Sequence, residues 1–140
     1  MTNGLEKLKA LTESLLVKDR QIRFAEEIYK AVFDSIPLPG IVLQLPDFTL
    51  VDANKKAVDT FGYPYEEIMT MFAYSKSMNP EYTKKRLLNH ESDAEGAFIH
   101  KDGHIIKTSS SLRYFTLNDV EYCLVIINVI EILEGLSNGK

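Results

Sequence analysis

Apolar and polar positions along this chain change their period several times, and each change marks an element. From Leu5 to Asp34 there is no proline and no internal glycine, and good helix formers dominate, so the pattern predicts one long helix. Leu8, Leu11, Leu15, Lys18, Ile22, Ala25, Tyr29, Val32 and Ile36 step by alternating three and four, a heptad seam that only Lys18 breaks. Thirty helical residues span roughly 45 Å, more than the width of a small domain, so part of the helix is expected to project. Two arrangements satisfy such a stripe. One is pairing with a second copy through Leu8, Leu11, Leu15, Ile22 and Tyr29; the other is a single amphipathic helix folded back over its own domain. The reading favoured here combines self-association through the first half with docking of the second half, from Ile22, on the domain.

Pro37 and Pro39 end the helix, since each removes a donor and excludes helical geometry for the residue before it. Ile41 to Leu45 and Phe48 to Val51 are short runs of large and β-branched residues, predicted as two strands joined by a Pro46-Asp47 turn. The period then changes: Ala53, Ala57, Val58 and Phe61 share one helical face, giving a helix that begins near Asp52 to Asn54 and stops at Gly62. Gly62-Tyr63-Pro64 is a stop and restart, followed by a short helix over Tyr65 to Met69 with Glu66 and Glu67 in its first turn. A further turn is expected over Ala73 to Met78. Asn79-Pro80 reads as an N-cap and first helical position, leading a helix to about Asn89.

Beyond Ala94 the period is two. Ala94 to Lys101, His104 to Thr116 and Val120 to Ile130 are predicted strands, joined by turns at Asp102-Gly103 and Asn118-Asp119. Tyr122 to Ile127 is apolar on both faces, as a central strand requires, whereas Lys107, Ser109, Ser111 and Arg113 make one face of the preceding strand polar. The outcome is an α+β fold: five antiparallel strands with helices packed on one face, and the long N-terminal helix set to cap the other.

Composition narrows the function classes. The 140 residues are 45% hydrophobic and 26% charged, enough for one domain with a core plus an appendage. A net charge of -4 without a basic cluster argues against nucleic acid. Cys123 is the single cysteine, which excludes an internal disulfide and paired-cysteine metal sites and fits a reducing, cytoplasmic setting. No apolar run is long enough to insert in a bilayer.

The succession of motifs resembles the PAS sensor domain family. Asp52-Ala53-Asn54 opens a helix that closes at Phe61-Gly62-Tyr63, Glu66-Glu67-Ile68 starts a short helix, and His100-Lys101-Asp102-Gly103 joins two strands. The resemblance covers about 31–133 and implies sheet order 2-1-5-4-3 around a pocket on the inner face. It also implies local structural hydrogen bonds at Asn54, and signalling to partner domains through the flanking helix and last strand. The expected organisation is 1–34 as a helical dimerisation or signalling segment, 35–133 as the PAS-like domain and 134–140 as a tail. The family's frequent Asp-Ile-Thr ending is replaced by Asn128-Val129-Ile130.

Candidate chemistry is sparse. Cys123 sits in an apolar strand without a nearby base, so a small buried hydrophobe is the expected role. Flavin-binding photosensory members carry Asn-Cys-Arg-Phe-Leu-Gln after the first helices; that motif is missing, which argues against flavin. His90 lies just past the helix on which haem-binding members place an axial histidine, but it equally suits a helix C-terminus. His100 and His104 flank the Asp102-Gly103 turn and are expected to face solvent. Polar groups for a pocket come from Thr108, Ser110 and Tyr114, or on the alternate face from Ser109, Ser111 and Arg113, whose planar fork suits a carboxylate. Asn54, Gly62, Asp102 and Gly103 are structural candidates. No catalytic constellation stands out, so the expectation is a non-enzymatic sensory module and homodimer, with a small-molecule ligand and a signalling output partner. The alternatives are a ligand-free interaction scaffold and a haem sensor.

Overall fold

The computed structural model describes residues 3–71 and 75–134. Its contacts divide the chain into two compact units, with the boundary between Ser35 and Ile36.

The first unit is a helix, α1 (Gly4–Ser35). Asn3 caps it, its Oδ1 accepting from the Glu6 N–H at 2.8 Å. Ile36, placed at the end of the heptad seam, falls outside the helix because Pro37 forbids helical geometry there. Leu8, Leu11, Leu15 and Ile22 are each more than half exposed, at 60, 59, 59 and 58%. An uncovered stripe of that length is what a helical partner buries.

The second unit is a five-stranded antiparallel sheet, β1 (Gly40–Leu45), β2 (Leu50–Ala53), β3 (Asp93–Ile99), β4 (Ile105–Leu117) and β5 (Val120–Leu133), in the order β2-β1-β5-β4-β3. Three short helices, α2 (Lys55–Phe61), α3 (Tyr65–Ile68) and α4 (Pro80–Leu88), lie between β2 and β3 in sequence. β5 is central, paired along its whole length with β4 and along its first half with β1, which agrees with its two apolar faces. The side-chain period of two puts Leu43, Leu45, Leu112, Cys123, Val125 and Ile127 on one face, where they form the main core cluster with Phe48 and Leu87 of α4. A second cluster, Ala53, Ala57, Tyr63 and Ile68, joins β2 to α2 and α3.

Two further details differ from the sequence expectation. The second strand runs over Leu50–Ala53 rather than Phe48 to Val51. The reason is the breadth of the turn: Phe48 has φ of 64° and donates its N–H back to Gln44, while Asp47 Oδ1 accepts from the Thr49 N–H and hydroxyl. Phe48 therefore enters the core from a turn, and Asp52 and Ala53 finish a strand instead of opening a helix. The second difference is at Lys76 to Met78. Ser77 makes a bridge to Phe98, Met78 N donates to Ala97 O and Ile99 N donates to Lys76 O, so this segment lies along β3 as an extra edge. The turn expected over 73–78 falls partly outside the described residues, as does the tail after Glu134.

Candidate functional site

The inner face of the sheet and the three short helices line a partly open cavity of about 100 Å³. Every strand contributes: Ile41 and Leu43 from β1, Leu50 from β2, Ala94, Gly96 and Phe98 from β3, Thr108, Ser110 and Leu112 from β4, and Val125 and Ile127 from β5. Ala57 and Phe61 of α2, Ile68 of α3 and Leu87 of α4 face the sheet across it. Phe61 and Phe98 meet edge to face, with ring centroids 6.0 Å apart. The alternation along β4 decides between the two polar faces left open by the sequence. Thr108 and Ser110 point inward and are 1% and 7% exposed, while Lys107, Ser111 and Arg113 are on the exposed face.

Of the ligand candidates, Ser110 lines the cavity; Arg113 and Tyr114 do not. Tyr114 donates its hydroxyl to the Glu91 carbonyl at 2.9 Å and packs against the main core. Burial, and then the neighbouring thiol and carboxylates, push its pKa up to about 12. His90, the haem candidate, follows the C-cap of α4 with φ of 52° and lines a different hollow together with Leu45, Leu88 and Glu121. Its Nε2 lies 2.8 Å from Glu121 Oε2 and its ring meets Tyr114 edge to face.

Cys123 is fully buried, and burial pushes its thiol up to about 12. The thiolate is the reacting form, so iodoacetamide should leave the folded protein unmodified and alkylate Cys123 only under unfolding conditions, which intact-mass spectrometry checks.

Two structural knots hold the cavity walls. The first is Asn54, fully buried. Its Oδ1 accepts from the N–H groups of Ala57 and Gly40, both at 2.9 Å, and its Nδ2 donates to the Leu38 carbonyl at 3.1 Å. One side chain thus caps α2 and ties it to β1 and to the Pro37–Pro39 junction. The second knot joins two motifs distant in sequence. Lys101 N donates to Phe61 O at 3.1 Å, Tyr63 Oη donates to Ile99 O at 2.8 Å, and Lys101 pairs with Glu67. The His100 ring lies against Gly62, not in solvent as expected. Burial, then Glu67 and Asp102, raise the pKa of the Tyr63 hydroxyl above its usual value.

At the hairpin tip Asp102 accepts from the His104 N–H at 3.0 Å and from the His104 ring, with His100 Nδ1 at 2.9 Å. The His104 N–H first, then its ring and the charge of His100, hold the Asp102 carboxyl below the usual aspartate value. A depressed pKa contributes stability that is present above the unfolded value and lost as pH falls through the folded one. Urea midpoints of the wild type and Asp102→Asn should therefore differ at neutral pH and converge on acidification below the ordinary aspartate range. Gly103, with φ of 97°, supplies the left-handed turn residue.

Arg86 was not singled out by its sequence context. It grips the start of β3, its guanidinium donating to the Asp93 carbonyl and pairing with Asp93 Oδ1 at 2.9 Å and Glu91 Oε1 at 3.5 Å. The only signal was a basic residue in the last turn of a helix. Among the described residues, no group of three or more His, Cys, Asp or Glu side chains is placed to hold a metal ion, and no helix is long and apolar enough to cross a membrane.

Known proteins resemble this chain both in sequence and in fold. The family model described as PAS domain matches residues 27–92. Residues 27–92 therefore match a PAS domain, and the sheet and helices around them have the PAS fold. Solved PAS domains share its fold at low identity. The PAS domain of an HTR-like protein from Haloarcula marismortui superposes with a TM-score of 0.71 at 19% identity, covering 81% of this chain and 98% of that one. A PAS domain from a two-component sensor histidine kinase gives a TM-score of 0.70 at 9% identity, covering 77% and 98%. A LOV protein from Rhodobacter sphaeroides gives 0.61 at 15%, covering 76% and 68%. No curated protein sequence matches the chain. At these identities the likeness establishes the PAS fold and leaves function to the residues of this chain.

Proposed function

We propose that this chain is a non-enzymatic sensory and dimerisation module, in which occupancy of the PAS cavity is relayed through α1 to a signalling output partner. The observation that carries the reading is the cavity itself, whose walls are tied directly to the segment following α1. Asn54 bonds Leu38 and Gly40 to α2, which walls the cavity with Ala57 and Phe61. Ile127 of β5, another wall residue, donates its N–H to the Pro39 carbonyl at 2.8 Å. A ligand that favours one arrangement of α2 and β5 therefore biases the stiff Pro37–Pro39 junction, and a population shift needs such differential contacts. A solved PAS domain of the same fold comes from a two-component sensor histidine kinase, which supports this role. A cytoplasmic setting is supported by the lone Cys123 thiol.

Self-association is assigned to the α1 stripe. Analytical ultracentrifugation should show a homodimer that Leu15→Asp weakens by about a hundredfold, since a charge in a heptad seam costs several kcal/mol. A monomer at high concentration, or a dimer indifferent to Leu15→Asp, removes the seam from the proposal. The haem alternative draws no support from His90, which borders the other hollow. The scaffold alternative requires a filled core, whereas about 100 Å³ is open here.

A further inference from the structure

The cavity's hydroxyl groups are not equivalent. Thr83 shares its hydroxyl with Ser77 Oγ at 3.1 Å and donates to the Asn79 carbonyl at 3.2 Å, and Tyr63 donates to Ile99 O. Thr108 reaches Gly96 O only at 3.4 Å, at the long limit of a hydrogen bond. Ser110 makes no side-chain hydrogen bond to any described residue, although it is only 7% exposed. No sealed-in side-chain nitrogen or oxygen lacks a partner among the described residues. The Ser110 hydroxyl therefore opens into the space it lines, and a hydroxyl in an apolar wall is stabilised by a hydrogen-bonding partner delivered there.

Size and charge define that partner further. An engineered apolar cavity of about 150 Å³ holds benzene, so a partly open cavity of about 100 Å³ suits a molecule of on the order of five heavy atoms, with benzene at its upper limit. The two charged residues at the cavity, Lys76 and Glu95, are both exposed and solvated, with the Lys76 ammonium 5.4 Å above the Tyr63 ring. Among the described residues no buried cation lines the cavity beside Ser110 to offset a carboxylate, and burying an unpaired ion is strongly unfavourable. Opposite Thr108, Gly96 leaves room where a Cβ would meet Phe98 at 3.5 Å and Thr108 Oγ1 at 3.8 Å, both ordinary contacts.

We propose that the cavity takes a small uncharged molecule, mainly apolar with a single hydrogen-bonding oxygen, such as a short-chain alcohol, and that Ser110 is its anchor. This rests on the reading of the cavity as a ligand site and deepens it. The test titrates the isotope-labelled full chain with 1-butanol, butyrate and benzene, following the amide signals of Ala94 to Phe98 and Thr108 to Leu112. Butanol should shift them saturably and butyrate should not. Ser110→Ala should weaken butanol by about tenfold while leaving benzene unchanged, because only the alcohol uses the hydroxyl. Gly96→Leu, which fills the cavity, should abolish both. Butyrate binding as tightly as butanol overturns the uncharged class but keeps the cavity as a ligand site. Butanol binding indifferent to Ser110→Ala overturns the anchor alone. If none of the three moves a cavity amide, the ligand-site reading itself falls.

Discussion

Asn54→Ala should lower the stability of the PAS domain by about 3 to 5 kcal/mol, from three separate losses. The α2 N-cap disappears, since the Ala57 N–H loses Oδ1. The Gly40 N–H, at the start of a fully paired strand, is left buried without its acceptor. The Leu38 carbonyl loses the Nδ2 donor. A total stability of about 5–15 kcal/mol is usual for a domain, so this single truncation consumes a large share of it. Urea denaturation followed by circular dichroism measures the loss. Asn54→Asp separates its parts: the carboxylate keeps both N–H donors but turns the Leu38 contact from attraction to repulsion, so an intermediate loss is expected. If Asn54→Ala costs under about 1 kcal/mol, the side chain is not the clamp that its geometry describes.

The consequence for signalling follows from where those three bonds go. Leu38 and Gly40 bracket Pro39, the rigid link after α1, and Ala57 is in the cavity wall. Under the proposed relay, weakening the clamp should therefore uncouple ligand occupancy from dimer strength in addition to lowering stability.

Much of this architecture was legible in the sequence because it rests on local rules. The Asn79-Pro80 start of α4, the Gly62 stop of α2 and the period-two strands follow from capping, φ preference and pleat, and each stands where those rules put it. The second strand was misplaced by two residues because Phe48, a strong strand former, occupies a positive-φ turn position that tertiary burial of its ring stabilises. The site was harder to read. Ser110 and Arg113 differ by an odd number of positions along β4, and only the register of β4 on β5, with its bulge between Lys107 and Thr108, fixes which of them turns inward. The pairing of His100 with Gly62, and of Arg86 with Asp93, depends on contacts between segments whose proximity has no local signature.

That contact between His100 and Gly62 makes Gly62→Ala the second large effect, an expected loss of about 2 to 4 kcal/mol, and its two components can be measured apart. Gly62 has φ of 81°, the left-handed C-cap geometry that costs a residue with a side chain about 1–2 kcal/mol. The new Cβ would also collide with His100 Cε1 and stand 2.6 Å from Nε2, so the ring must leave. The ring is not free to do so cheaply, because Nδ1 lies 3.0 Å from the Asp102 nitrogen and 2.9 Å from Asp102 Oδ1. In a His100→Ala background the clash vanishes and only the backbone cost remains, giving a coupling of about 1–2 kcal/mol in a double-mutant cycle. A coupling near zero would show that the ring does not pack on the cap. Because Phe61 and Tyr63 flank Gly62 and both line the cavity, the same substitution should blur the amide signals of the cavity wall, whereas Gly103→Ala at the hairpin tip, strained by its own φ of 97°, should not.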